Sequence, residues 1–130
     1  MIALDKIRAS GGVVQPAKTE DIARLRQLFG ALPADLVELW GVCDGFLLDS
    51  GVKVYGTQDM QNRNTAFVFE ESASEYLLVG DNSGGLGLIL HKHQKSPLYI
   101  CDLGFLDFDD FEVLAEDFLQ WVSEGGVIKK

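Results

Sequence analysis

The sequence is 130 residues long, 47% hydrophobic and 24% charged, with a formal net charge of -9. This composition is typical of one globular domain, and it excludes disordered, collagen-like and low-complexity chains. The charge argues against direct nucleic-acid binding, which needs clustered Lys and Arg to neutralise phosphates. No uncharged apolar run approaches the ~20 residues of a membrane-spanning helix. Residues 1–6 lack the basic and then apolar pattern of a secretory signal, so none is expected. We therefore expect a cytoplasmic protein with no membrane partner.

The acidic residues are unevenly distributed. Residues 31–90 carry nine acidic and two basic side chains, whereas residues 1–30 carry three acidic and five basic ones. Two interpretations stay open: a solvated acidic surface, or a docking face for a basic protein. The second has a kinetic rationale, because opposite charge can raise association rates about 10-fold or more at low salt.

Two helices are predicted in the N-terminal third of the chain. The first is capped by Thr19 and ends at Gly30, and the second opens at Pro33, where a missing N–H costs nothing. The pair Asp44-Gly45 is predicted to end the second helix. Apolar residues at helical spacing mark the buried face of each: Ile22, Leu25, Leu28 and Phe29, then Leu36, Leu39, Trp40 and Cys43.

Short apolar runs bounded by turn residues predict the strands that follow. Four runs have this character: 51–56, 75–79, 86–91 and 98–102. The last three start about 10–12 residues apart with turns between them, which indicates antiparallel pairing. Residues 57–74 stay open, because Thr57 suits the cap of a short polar helix and residues 65–69 fit either helix or strand.

The last apolar pattern has two interpretations. A helical face over residues 108–122 fits Phe111, Leu114, Phe118 and Val122; alternatively the helix begins as late as Ala115, with residues 111–114 extended. Helices, then a run of strands, then a helix predict a single α+β domain. Its sheet is expected to be mostly antiparallel and flanked by helices.

Three motifs follow one another at a regular order and spacing. They are Leu32-Pro33 with an apolar helix ending in Asp44-Gly45, then Tyr76-Leu77-Leu78-Val79-Gly80-Asp81-Asn82-Ser83-Gly84-Gly85, then Leu98-Tyr99-Ile100-Cys101-Asp102 before a terminal helix. In this order they resemble the SUKH superfamily, the Smi/Knr-type domain of fungal cell-wall regulators and bacterial immunity proteins. The resemblance covers residues 19–123 of a single domain spanning 1–130, and residues 1–18 form an N-terminal arm or short helix. The chain departs from the family pattern at Asp44, where Asn is usual, and in the acidic connection 107–110.

The resemblance implies an α+β fold and a binding role in place of catalysis. Many bacterial members are thought to neutralise toxins, often nucleases, and such toxins are frequently basic because they hold nucleic acid. We therefore predict an immunity protein that masks the active cleft of a basic toxin domain, as a monomer or weak homodimer without a cofactor. A regulatory or scaffolding module without a toxin is the alternative, and a small hydrolase or metal-dependent enzyme is a remote one.

Charge and loop position predict the partner-binding face. Its carboxylates are Asp44, Asp59, Glu70, Glu71, Asp81, Asp107, Asp109 and Asp110. Aromatic residues dominate interface hot spots, so Phe46, predicted to be partly exposed, and Phe105 are added as candidate anchors.

Residue types that suggest catalysis or metal binding are better explained structurally. Ser83 lies in a Gly-rich turn without the spacing of a nucleophile elbow. The pair His91 and His93 lacks further zinc ligands nearby in sequence and is predicted to lie at an exposed strand end. No convergent set of titratable groups can be assembled, so neither an enzyme nor a metal site is predicted.

The cysteines and tryptophans are predicted to lie in the core. Cys43 and Cys101 fall in apolar segments without the CxxC spacing of redox or zinc sites. Trp40 and Trp121 lie in apolar helical segments, where packing is the default role.

Overall fold

Five helices and six strands lie in the part of the chain that the computed structural model describes, residues 2–66, 75–95, 97–104 and 111–128. The helices are α1 Asp5–Ala9, α2 Thr19–Phe29, α3 Ala34–Trp40, α4 Met60–Ala66 and α5 Phe118–Ser123. The strands are β1 Phe46–Leu47, β2 Lys53–Val54, β3 Tyr76–Asp81, β4 Leu86–His91, β5 Leu98–Asp102 and β6 Glu112–Ala115. None of these helices has the length and apolar character needed to cross a bilayer.

The strands form one sheet in sequence order, and every neighbouring pair is antiparallel. Strands β3 and β4 lie at its centre and are buried along most of their length. Because successive side chains point to opposite faces, both faces of the sheet are covered there. Strands β1 and β6 form the two edges. The predicted α+β fold with an antiparallel sheet is confirmed.

The core lies between the sheet and the helices. Trp40, Tyr55 and Phe118 are its largest fully buried side chains, and the indole Nε1 of Trp40 donates to the carbonyl oxygen of Tyr55 at 3.0 Å. That bond joins α3 to the residue after β2 and satisfies a polar group that burial would otherwise leave unpaired. Trp121 and both cysteines are also buried, so their predicted core positions are confirmed.

The predicted helix ends differ from the observed ones by a few residues. Lys18 occupies the cap position of α2 without a side-chain hydrogen bond, and Thr19 is the first helical residue, so the predicted cap is wrong. Gly30 ends α2 with a φ of +81°, as predicted. Pro33 caps α3 from outside the helix instead of opening it, and α3 ends at Trp40, before Asp44-Gly45.

The C-terminal segment follows the second of its two interpretations. Residues 112–115 form β6 because they pair with the preceding strand β5, a contact that the periodicity of the segment alone does not reveal. Helix α5 then begins after Asp117, whose carboxylate accepts a hydrogen bond from the backbone N–H of Gln120 at 3.0 Å. That bond, more than the nearby Lys95, lowers the pKa of Asp117.

The region that the sequence left open contains α4. The helix begins at Met60, three residues after Thr57, so Thr57 does not cap it; of the segment 65–69, residues 67–69 lie outside the described part of the chain. Asn64 in α4 is fully buried. Its side-chain oxygen accepts from the N–H of Leu78 at 2.8 Å, and its Nδ2 donates to the carbonyl of Leu78 at 3.0 Å. Asn64 thus gives Leu78 the pair of bonds that a neighbouring strand would supply.

Candidate partner-binding groove

An open groove of about 810 Å³ lies beside edge strand β1. One wall is the segment 11–18, and the other is formed by β1, β2 and the loop before α4. We call this feature the β1 groove. Its lining includes Val13, Asp21, Asp44, Leu47, Asp49 and Asp59.

Backbone hydrogen bonds hold the segment 11–18 against the sheet. The N–H of Asp49 donates to the carbonyl of Ser10 at 2.8 Å, and the N–H of Asp44 donates to that of Gln15 at 2.6 Å. Gly11 has a φ of +94°, and a Cβ there would lie 2.4 Å from an oxygen of the Asp49 carboxylate. Glycine is therefore needed where the two walls meet.

Carboxylates dominate the charge of the groove. Four aspartates line it, at positions 21, 44, 49 and 59, against two lysines at positions 18 and 53. The Asp59 carboxylate lies 3.4 Å from the Lys53 ammonium, and the Asp21 carboxylate accepts from Nε2 of Gln58 at 3.2 Å. Both contacts are partly or fully exposed and weak. The carboxylates of Asp21, Asp49 and Asp59 are therefore accessible to a cationic partner.

Asp44 has a structural task as well as a place in the groove. One carboxylate oxygen accepts from the backbone N–H of Thr57 at 2.7 Å, and the other accepts from the Thr57 hydroxyl at 3.1 Å. Because Thr57 is buried, these bonds hold the loop before α4 against the turn that precedes β1. Asp44 is thus a less accessible binding carboxylate than its sequence position suggests.

We predict that Asp44→Ala lowers the free energy of unfolding by about 2 kcal/mol, since hydrogen bonds to a charged group are each worth about 1.5–3 kcal/mol and solvent compensates in part. Asp44→Asn keeps one acceptor and should lose less. Urea unfolding followed by circular dichroism measures both variants. Glu38→Ala, on the exposed face of α3, is the control, and equal stability of the Asp44 and Glu38 variants would contradict the assignment.

Phe46 is not the partly exposed anchor predicted from its position after Gly45. It is 6% exposed, whereas the next residue, Leu47, is 55% exposed. The pairing of β1 with β2 sets this alternation, because successive side chains of a strand point to opposite faces. Leu47 and Val13, which is 76% exposed, are the apolar side chains that the groove presents.

Asp81 has a structural role at the end of β3. Its carboxylate accepts from the Tyr55 hydroxyl at 2.5 Å and from the N–H of Ser83 at 2.8 Å. Burial, and then this bond to Asp81, raise the pKa of Tyr55 far above its ordinary value. The Ser83 hydroxyl donates to the carbonyl of Gly51 at 2.6 Å, so Ser83 serves the turn, as predicted.

The structure brings together three of the predicted binding residues in the β1 groove: Asp44, Phe46 and Asp59. The groove adds Asp21 and Asp49, which the sequence did not single out. Six predicted residues lie outside the described part of the chain: Glu70, Glu71, Phe105, Asp107, Asp109 and Asp110.

The histidine pair is partly buried. His91 is 8% exposed, and its Nδ1 accepts from the N–H of His93 at 3.0 Å and of Gln94 at 3.1 Å. The predicted exposed strand end is therefore wrong for His91, because its ring packs edge-on against Tyr76. Within the residues the structure describes, no group of three or more His, Cys, Asp or Glu is placed to hold a metal ion.

The two thiols are poorly suited to nucleophilic chemistry. Burial raises the pKa of the Cys43 thiol and raises that of Cys101 to about 11. The thiolate is the reactive form of cysteine, so both side chains stay protonated at neutral pH. Their role is packing.

Comparison with known proteins does not place the chain in a family: no family model matches it, and no curated protein matches it. The SUKH resemblance therefore stays a prediction from motifs. Function has to be argued from the charge and geometry of the chain itself.

Proposed function

We propose that the chain is a non-catalytic protein-binding module of the immunity type, which neutralises a basic, nuclease-like toxin domain by masking its active cleft. The observation that carries this proposal is the β1 groove, which is lined by four aspartates and two lysines on a chain of net charge -9. A nuclease cleft holds nucleic acid through Lys and Arg that neutralise phosphates. A surface of carboxylates is complementary to the same cleft.

Apolar side chains beside the carboxylates support the same function. Val13 and Leu47 are large, exposed and on the lining of the groove. Protein interfaces combine an apolar centre with a polar, charged rim. The charges would speed association and select a basic partner, and the apolar contacts would slow dissociation.

The hydrogen bonds of Ser83 and His91 support a binding role over catalysis. The Ser83 hydroxyl is engaged with the carbonyl of Gly51, and His91 Nδ1 accepts from two backbone N–H groups. Both side chains thus hold turns. An acyl-transfer site needs instead a base aimed at the nucleophile.

Capture of the partner tests the proposal. The tagged chain is used as bait in a lysate of its own source, washed at low and at high salt, and bound proteins are identified by mass spectrometry. We expect a basic protein with a nuclease domain that is lost at high salt, since charge pairs at an interface are screened. The purified domain should then lose its nuclease activity at one equivalent of the chain.

Two results would contradict the proposal. Capture of an acidic or housekeeping partner would favour the regulatory or scaffolding alternative. A captured nuclease domain that stays fully active when saturated with the chain would exclude masking of its cleft.

A further inference from the structure

In edge strand β1, the backbone N–H and C=O of Leu47 point outward from the edge of the sheet. Phe46 lies opposite Val54 and Leu47 opposite Lys53, and the N–H of Leu48 donates to the carbonyl of Val52 at 2.9 Å. Bonded and non-bonded pairs alternate along an antiparallel ladder. Leu47 is therefore at a non-bonded position, and its N–H and C=O point outward from β2.

The segment 10–15 does not satisfy these two groups. It is bonded to the β1 region through Ser10 and Asp49 at one end and through Gln15 and Asp44 at the other. The two bonds are five residues apart on each of the two segments. Bonded pairs of a regular antiparallel ladder recur every second residue, so an odd interval shows that these segments do not form one. Leu47 is non-bonded toward β2, and among the described residues no turn, loop or side-chain hydrogen bond reaches its N–H or C=O. The β1 groove lies along this stretch, since Val13 and Leu47 both line it.

We propose that a basic partner places a short extended segment in the β1 groove, between the Ser10–Asp49 and Gln15–Asp44 bonds, and adds it to the sheet at Leu47, a binding mode that rests on the proposed function. The N–H of Leu47 donates to the backbone of the segment, and its C=O accepts from it. Strand addition of this kind takes affinity from main-chain bonds and specificity from alternate side chains.

Charge complementarity identifies the chemistry of the segment. Side chains of an extended strand alternate between its two sides. Leu47 and Asp49 are two residues apart and both exposed, so the side chains of one side of the added segment meet both. Lys or Arg at every second position would lay its alkyl stem on Leu47 and Val13 and bring its charge to the carboxylates of Asp49 and Asp21. The occupant is thus an extended segment with cationic residues at alternate positions.

Amide mapping with a pair of synthetic peptides tests the proposal. The full chain, labelled with ¹⁵N, is titrated with a capped peptide of alternating Lys and Thr, and separately with its Glu-Thr counterpart. We expect the Lys-Thr peptide alone to shift the amides of Gly12, Val13, Leu47 and Asp49. We also expect it to slow solvent exchange of the Leu47 amide.

Leu47→Pro removes the donor while leaving the fold in place, since proline is tolerated on an edge strand where its missing N–H would face solvent. It should bind the Lys-Thr peptide about five- to tenfold more weakly than Leu47→Ala, which keeps the N–H but shortens the side chain. Should Leu47→Pro not fold, the exchange rate of the Leu47 amide in the wild-type chain decides.

The outcomes separate this proposal from the function on which it rests. Lys-Thr shifts confined to other surfaces, such as edge strand β6, would overturn pairing at Leu47 and leave a basic partner in place. Equal binding by the proline and alanine variants, or no shift with either peptide, would overturn strand addition too. The capture experiment tests the function independently of either peptide.

Discussion

Asn64→Ala is expected to lower the free energy of unfolding by about 3 kcal/mol. The Asn64 side chain bonds both backbone groups of Leu78, and its Nδ2 also donates to the carbonyl of Met60 at 2.9 Å. Alanine would leave the N–H and C=O of Leu78 buried without partners, and each such loss costs about 1–3 kcal/mol. Urea unfolding measures the change, with an unaltered m-value showing that the transition is still two-state.

Asn62→Ala provides the matched control. Asn62 lies in the same helix but is exposed, so the same substitution changes helix propensity without removing a buried bond. It should alter stability by less than about 0.5 kcal/mol. Equal destabilisation by the two variants would show that Asn64 does not act as a substitute strand for Leu78.

Neutralising the groove is expected to weaken partner binding about tenfold. The double variant Asp21→Asn with Asp49→Asn removes two accessible carboxylates while keeping side-chain shape. Rim charges act mainly through the association rate and its salt dependence, so the loss should lie in the on-rate and shrink at high salt. Surface plasmon resonance with the captured domain measures both rates.

A charge-matched variant separates the groove from net charge. Glu38→Gln with Glu116→Gln removes the same two charges from exposed positions on α3 and just before α5. We expect its on-rate to stay near that of the wild-type chain. An equal loss in both double variants would mean that overall charge, and not the groove, attracts the partner.

Local patterns predicted the elements whose residues interact with near neighbours in sequence. The runs at 86–91 and 98–102 became β4 and β5 with the predicted bounds, and Gly30 ended α2. The ability of glycine to adopt a positive φ and the presence of an apolar run are properties of the segment itself. They therefore predict its structure without knowledge of the rest of the fold.

Elements that are defined by pairing or contact with another segment were predicted poorly. Strand β1 has only two residues, too few for a pattern of its own, and is defined by its pairing with β2. The sequence of β6 fitted a helical face equally well, and only its pairing with β5 shows that it is a strand. In the sequence, Asn64 is an ordinary polar residue of a polar helix. Only the position of β3 shows that its side chain bonds the backbone of Leu78.

The candidate site was predicted in part. Charge and loop position found Asp44 and Asp59, but Asp44 bonds Thr57 and is partly committed to the fold. Asp49 was missed, although the turn Asp49-Ser50-Gly51 between apolar residues is typical of a hairpin that would have exposed it. Recognising that hairpin would also have placed Phe46 inside and Leu47 outside.

The most direct test of the account is amide mapping of the captured basic domain on the ¹⁵N-labelled chain. If the β1 groove is the binding surface, the largest shifts should fall on residues 11–18, on Leu47 and Asp49, and on the loop around Asp59. The same residues should recover as salt is raised. Shifts that leave the β1 groove unchanged and fall elsewhere, such as on the β6 edge, would contradict the account.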